Sequence, residues 1–200
     1  MDDVTPTRAG IALNERAMES LEFIRTTMAR SAPFTAVPGI GGMAMGAIGL
    51  IAAVLASRQP DDWTWLAVWF VSAAVAAPLG FVFMHAKARR HGVSLWSANG
   101  RRFAQGFAPA MVAGAVLTAA LVSQSRFDLV PATWLLMYGA AVLAGSIASI
   151  PVLAWVGGAF MVLGAGAAAT AGDWRDLWLG AGFGGLQVMF GFVIARNHGG

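Results

Sequence analysis

The sequence contains no cysteine, and only three histidines occur among its 200 residues. Without cysteine the chain can form no disulfide, no thiolate metal site and no thiol nucleophile. Charge is also scarce: charged residues make up 12% of the chain and hydrophobic residues 58%. A soluble domain carries roughly 25% charged residues. This composition predicts an integral membrane protein.

Long stretches have no charged side chain at all. They cover residues 31–57, 63–86, 103–125, 129–172 and 177–195. A helix needs about 20 apolar residues to cross a bilayer, and the fourth stretch is about twice that length, so it must turn back. Pro151, which follows a run of small residues, marks this turn. The prediction is an all-α polytopic protein with six transmembrane helices; the alternative is one kinked helix with a re-entrant segment.

Basic residues predict the orientation, because short cytoplasmic loops retain positive charge. One side receives Arg16, Arg25, Arg30, Lys87, Arg89, Arg90, Arg101, Arg102 and Arg196. The loops of the other side are acidic on balance and contain Asp61, Asp62, Asp128, Asp173 and Asp176. Both termini are therefore expected in the cytoplasm. The outer ends also carry an expected aromatic belt of Trp63, Trp65, Trp134, Trp174 and Trp178.

Residues 1–30 are too polar for a signal peptide and predict a cytoplasmic amphipathic leader helix. Its apolar face consists of Leu13, Ala17, Leu21, Ile24 and Met28. Acidic and basic residues balance on the opposite face, whereas helices that lie on lipid are usually cationic. Residues 13–28 are therefore expected to contact a protein partner or the protein's own cytoplasmic face.

The transmembrane domain, residues 31–200, has an apparent internal repeat. Each hairpin has a proline, then an acidic outer loop, then a tryptophan at nearly constant separation: Pro38 and Trp65, Pro109 and Trp134, Pro151 and Trp178. The repeats would cover about residues 34–90, 103–150 and 151–197, related by a pseudo-threefold axis along the membrane normal. The alternative is that the hairpins share only the common composition of membrane helices.

Small residues recur at helical spacing on three spans. The stripes are Gly39, Gly42, Gly46 and Gly49; Gly106, Ala110 and Gly114; and Gly180, Gly184 and Gly191. Such stripes allow close helix packing, either within one chain or between copies in a homo-oligomer.

Three polar residues lie near the expected midplane: Ser72, Tyr138 and Gln187. Each belongs to the second helix of its hairpin, so they could meet and hydrogen-bond a small ligand in an apolar chamber. The alternative is that they connect neighbouring helices.

The basic connection between the second and third spans suggests contact with anionic lipid through Lys87, Arg89, Arg90, Arg101 and Arg102, unless this charge only sets the orientation. His85, His91 and His198 match no metal or haem signature, so no metal or cofactor is expected. No catalytic motif is present, and the basic residues form no continuous face for nucleic acid.

A resemblance covers nearly the whole chain. The segments that carry it are residues 21–25, Met28, residues 34–39, residues 44–46 and residues 182–186. In these the sequence resembles a family of small bacterial inner-membrane proteins. The resemblance implies a bacterial cytoplasmic membrane and brings no activity or site residues.

Three functions are open at this point. The first is a non-enzymatic scaffold or binding module for a small apolar ligand or a partner protein. The second is a facilitator or transporter of a small uncharged solute past Ser72, Tyr138 and Gln187. The third is a haem- or metal-binding membrane protein. The lack of charge inside the spans argues against ion-driven transport.

Overall fold

The computed structural model describes residues 18–23, 35–92, 94–170, 172 and 174–198. The chain divides into two units, Met1–Pro33 and Phe34–Gly200. In the first unit, residues 18–23 are helical and their side chains are exposed. Leu21 is the one residue of the predicted apolar face in this stretch. The others, Leu13, Ala17, Ile24 and Met28, lie outside the described residues.

The described part of the second unit contains six helices that are long and apolar enough to cross a membrane. Five are regular: α1 (Gly39–Ala56), α2 (Asp62–Arg90), α3 (Ala98–Ser123), α4 (Val130–Ser146) and α5 (Val152–Ala169). The sixth, α6, runs through an α-helical piece (Arg175–Leu179), a π-helical piece (Gly180–Leu186) and a second α-helical piece (Gln187–His198). The predicted all-α polytopic membrane fold is confirmed.

The turn at Pro151 is also confirmed. α4 ends at Ser146 and α5 begins at Val152, and the amides of Ala148 and Ser149 donate turn hydrogen bonds to Gly145 and Ser146. Proline fits the start of α5 because an amide at that position would have no partner within the helix. The alternative of one kinked helix with a re-entrant segment is wrong.

Helix packing follows the sequence order only in part. α1 packs between α2 and α6, α4 packs between α3 and α5, and α6 contacts both α4 and α5. Within the described residues α2 and α3, although consecutive, do not pack extensively on each other. The largest interfaces, α1 with α6 and α4 with α5, join different hairpins. Among the described residues the three hairpins therefore pack unequally on one another, and their threefold relation and internal repeat stay predictions.

Glycines explain how α1 approaches α6 so closely. A Cβ atom added at Gly49 would overlap the carbonyl of Phe183, and one added at Gly46 would lie 2.6 Å from Val188 Cγ2. From the other side, a Cβ atom at Gly191 would lie 2.6 Å from the amide nitrogen of Met43. Two of the predicted stripes therefore face each other.

The third stripe also packs inside the chain. Cβ atoms added at Gly106 and Gly114 would meet Ala144 and Met137, both on α4. The prediction of packing within one chain is confirmed for these surfaces. The possible homo-oligomer through the glycine stripes stays a prediction; the glycines that would form it contact other helices of the same chain.

Candidate functional site

A cavity of about 790 Å³ lies between α2 and α3, with α1, α4, α5 and α6 contributing the rest of its wall. On α2 its lining residues run from Trp65 to Met84. At 1.5 Å per residue this stretch is about 28 Å long, close to the ~30 Å thickness of a hydrocarbon core. The cavity is therefore elongated along the helices.

The described lining of the cavity is apolar and contains no charged residue. Its polar side-chain atoms belong to four indoles and to the three residues selected from the sequence. Ser72, Tyr138 and Gln187 all lie on the wall of this cavity. Ser72 lies on α2, Tyr138 on α4 and Gln187 on α6, so second helices of three hairpins do border one space.

Tyr138 and Gln187 form a direct pair. Gln187 Nε2 donates a hydrogen bond to Tyr138 Oη at 3.2 Å. The phenol can still donate its O–H, and the amide oxygen can still accept. Aromatic rings enclose the phenol: the ring centroids of Phe160, Phe183 and Phe107 lie 4.7, 5.1 and 5.9 Å from that of Tyr138. The pair is thus a small polar spot on an apolar wall.

The π-helical piece of α6 sets the position of this pair, because Gln187 directly follows it. Four of its seven residues are glycine. A Cβ atom added at Gly182 would overlap Leu135 Cδ2 and lie 3.2 Å from Phe160 Cε1, so glycine is required for α6 to come this close to α4 and α5. π-Helical turns are often found at functional sites. Of these glycines, the predicted packing stripe includes Gly180 and Gly184 but not Gly182.

Ring contacts close the side of the cavity at one end. Trp63 packs edge-on against Phe127 at 5.3 Å, and Phe70 packs edge-on against Trp134 at 6.4 Å. Both pairs join α2 to α4 or to the turn before it, in the half remote from the α2–α3 connection.

The other half of the cavity is open at the side. Exposed lining residues lie along α2 in both halves, at Phe70, Ala73, Ala77 and Phe81, but on α3 only in this half, at Ala104 and Ala108. In a bilayer this gap would face the lipid tails of the half that contains the α2–α3 connection.

No family model, curated protein or solved structure matches this chain.

A polar network lies at the closed end. Trp65 is fully buried, and its Nε1 donates a hydrogen bond of 2.7 Å to Asp176 Oδ1. The guanidinium of Arg175 lies 4.4 Å from the centroid of the Trp65 ring and also forms an ion pair with Asp62.

This network corrects one expectation. Trp65 was assigned to an aromatic belt in the headgroup layer, but it is a core residue, because Asp176 and Arg175 give its indole polar partners inside the protein. The sequence carries no signal for this contact, since Trp65 and Asp176 are 111 residues apart.

The five basic residues predicted to contact anionic lipid do not share one environment. Arg89, Arg90, Arg101 and Arg102 are exposed. The Lys87 side chain is 3% exposed, and its Nζ donates a hydrogen bond of 3.0 Å to the carbonyl of Val37. Lys87 therefore secures the segment before α1 to α2 and lies away from the surface of the four arginines.

The histidines give no support to a haem or metal site. Among the described residues, no group of three or more histidine, aspartate or glutamate side chains is placed to hold a metal ion. His85 is exposed and stacks on Phe81, with ring centroids 6.5 Å apart. The side chain of His198 lies outside the described part.

Proposed function

We propose that this protein is a non-enzymatic membrane binding module whose cavity holds a small apolar ligand. The observation that carries this proposal is the elongated apolar cavity of about 790 Å³ with the Tyr138–Gln187 pair in its wall. Ligand sites are typically roughly 300–1,000 Å³ in volume, lined by apolar and aromatic side chains with a few polar groups that fix orientation. The cavity has each of these properties.

The chemistry of the lining favours binding over catalysis. General acid–base or nucleophilic catalysis needs an ionisable group beside the reacting atom. The described wall offers hydroxyl, amide and indole groups instead. These groups can hold and orient a ligand that carries a hydroxyl or carbonyl.

A facilitator of small uncharged solutes is the second candidate, because the cavity extends along most of α2. Glycerol uptake by proteoliposomes that slows on changing Gln187 to Leu would support it. Uptake no faster than in protein-free liposomes would contradict the facilitator and leave the binding module as the proposed function.

Native mass spectrometry of the purified protein tests the binding module directly. After release from detergent, the wild-type protein should show one added mass, which is that of the bound ligand. Ala76→Trp, which fills the cavity from α2, should abolish it, whereas Val75→Trp should retain it, because the neighbouring Val75 is 55% exposed and is not part of the lining. An adduct that survives Ala76→Trp in a protein of unchanged melting temperature would contradict the proposal.

The setting proposed for this module is the bacterial cytoplasmic membrane, with both termini in the cytoplasm. The resemblance noted in the sequence supports the first part, and the one-sided distribution of arginine and lysine supports the second. The leader segment 13–28 is proposed to contact a protein partner; a stoichiometric partner that is lost when residues 1–30 are deleted would support this.

A further inference from the structure

Building on the proposed function, we infer that the ligand is an anionic phospholipid from the half of the bilayer at the α2–α3 connection. Its tails enter the cavity between α2 and α3, and its headgroup lies at Arg101. Three independent observations lead to this: the position of the lateral opening, the sign of the charge at that end, and the place of Arg101 on α3.

The opening determines from which half of the bilayer a lipid enters. Among the described residues, aromatic pairs connect α2 to the opposite wall only at the end of the cavity remote from the α2–α3 connection. Nearer the connection, α2 and α3 both contribute exposed lining residues, among them Phe81 and Ala108, whereas in the remote half only α2 does. A tail can pass sideways here without leaving hydrocarbon, which a water-soluble ligand cannot do.

Within residues 34–198, the charged side chains at this end are all basic. From Phe23 onward, the described acidic residues lie in loops or helix starts of the opposite end: Asp61, Asp62, Asp128 and Asp176. The end with the connection carries Arg89, Arg90, Arg101 and Arg102, all exposed. An anionic headgroup is therefore attracted by several arginines and meets no carboxylate of α1 to α6.

Arg101 occupies the edge of the opening. On α3, Ala104 and Ala108 follow Arg101 at spacings of three and seven residues, so the three share one helix face, and both alanines line the cavity. Arg102 is turned away by about 100° and its guanidinium contacts Asn99 at 3.5 Å. The two neighbouring arginines therefore form a matched test and control.

Native mass spectrometry with two defined lipids tests the inference. The probes are dioleoyl phosphatidylglycerol and dioleoyl phosphatidylcholine, which share their tails and differ in headgroup charge. The wild-type protein should retain the anionic lipid better than the zwitterionic one, and Arg101→Gln should lower that preference about fivefold, since one arginine near a lipid surface contributes about this factor. Arg102→Gln should leave the preference unchanged.

A second pair of variants tests the path of the tails. Ala108→Trp should reduce retention of both lipids, whereas Val82→Trp should not, because Val82 is 60% exposed and absent from the lining. Ala77→Trp, which enters the cavity from α2, replaces Ala108→Trp if that variant does not fold.

The outcomes separate the two proposals. Equal retention of both lipids by the wild type, with both lost on Ala108→Trp, overturns the anionic ligand but leaves an apolar ligand in the cavity. Retention that Ala108→Trp and Ala77→Trp leave intact overturns the cavity as the binding place, and with it the proposed function. Equal losses in Arg101→Gln and Arg102→Gln overturn the specific role of Arg101.

Discussion

Gln187 Nε2 donates a hydrogen bond of 3.2 Å to Tyr138 Oη across the interface of α6 and α4. Such bonds between membrane helices contribute about 0.6 to 2 kcal/mol. Tyr138→Phe and Gln187→Leu should each lower the free energy of unfolding by that order, and the double variant should lose little more than either one. Unfolding of the four proteins in detergent, followed by circular dichroism, measures this double-mutant cycle. If the losses in unfolding free energy of the two single variants add up fully in the double variant, the two side chains are not coupled.

The contact of α1 with α6 depends on glycine. Gly49→Ala should cost about 1–3 kcal/mol, because its Cβ atom would overlap backbone atoms of Phe183 and the two helices would have to separate. Gly158 on α5 gives the matched control, since a Cβ atom there meets no heavy atom within 4 Å. Thermal unfolding of the two variants in the same detergent gives the comparison, and equal melting temperatures would refute a tight α1–α6 contact.

The buried indole at the closed end should be costly to replace. Trp65→Phe removes the donor of a bond to a carboxylate, an interaction that contributes about 1.5–3 kcal/mol. Trp63→Phe is the control, because Trp63 is 65% exposed and a phenylalanine can retain the ring contact with Phe127. If the control lowers the melting temperature as much as Trp65→Phe does, the Asp176 bond has no special weight.

Features that depend on local properties of the chain could be predicted from the sequence. The six spans and the turn at Pro151 could be predicted, because length, absence of charge and proline chemistry act locally along the chain. The three polar residues of the cavity could be chosen for a similar reason: Ser72, Tyr138 and Gln187 were conspicuous among apolar neighbours.

What could not be predicted depends on contacts between distant segments. The pairing of Trp65 with Asp176 and the overlap of Gly49 with Phe183 join residues far apart in sequence. The π-helical piece has the same origin, because its glycines fit a helix of either kind and only the packing on Leu135 distinguishes them. The buried position of Lys87 could not be predicted for the same reason, since its partner is a backbone carbonyl 50 residues away.

The absence of cysteine makes the proposed orientation easy to test. Ser94→Cys places a single thiol in the α2–α3 connection, and Gln124→Cys places one at the far end of α3. With both termini in the cytoplasm, a membrane-impermeant maleimide should label Gln124→Cys in spheroplasts and label Ser94→Cys only after lysis. The reverse pattern would invert the orientation.

The start of α2 should respond to acid. The Asp61 carboxylate accepts hydrogen bonds from the amide and hydroxyl of Thr64 and from the amide of Trp63, which lowers the pKa of Asp61 below its ordinary value of 3.8. The pKa of Asp61 is lower in the folded state than in the unfolded state. The stabilisation that the carboxylate gives is therefore fully present above the ordinary pKa of 3.8 and is lost as the pH falls through the lowered pKa.

The melting-temperature difference between wild type and Asp61→Ala should accordingly be constant above about pH 5 and shrink in stronger acid. Asp61→Asn retains an acceptor that does not titrate, so its difference from Asp61→Ala should not change with pH. If the difference between wild type and Asp61→Ala grows in acid, the Asp61 carboxylate is not the group responsible for the pH dependence.

The close fit of α1 against α6 has a consequence for biosynthesis. α1 is synthesised before α6 and meets this partner only when α6 has been inserted, so until then its row of glycines faces lipid or a chaperone. The contact of α1 with α6 therefore forms late in assembly and completes the packing of the membrane domain. A chain that stops before residue 175 should remain an open, proteolysed intermediate even though five of its spans are inserted.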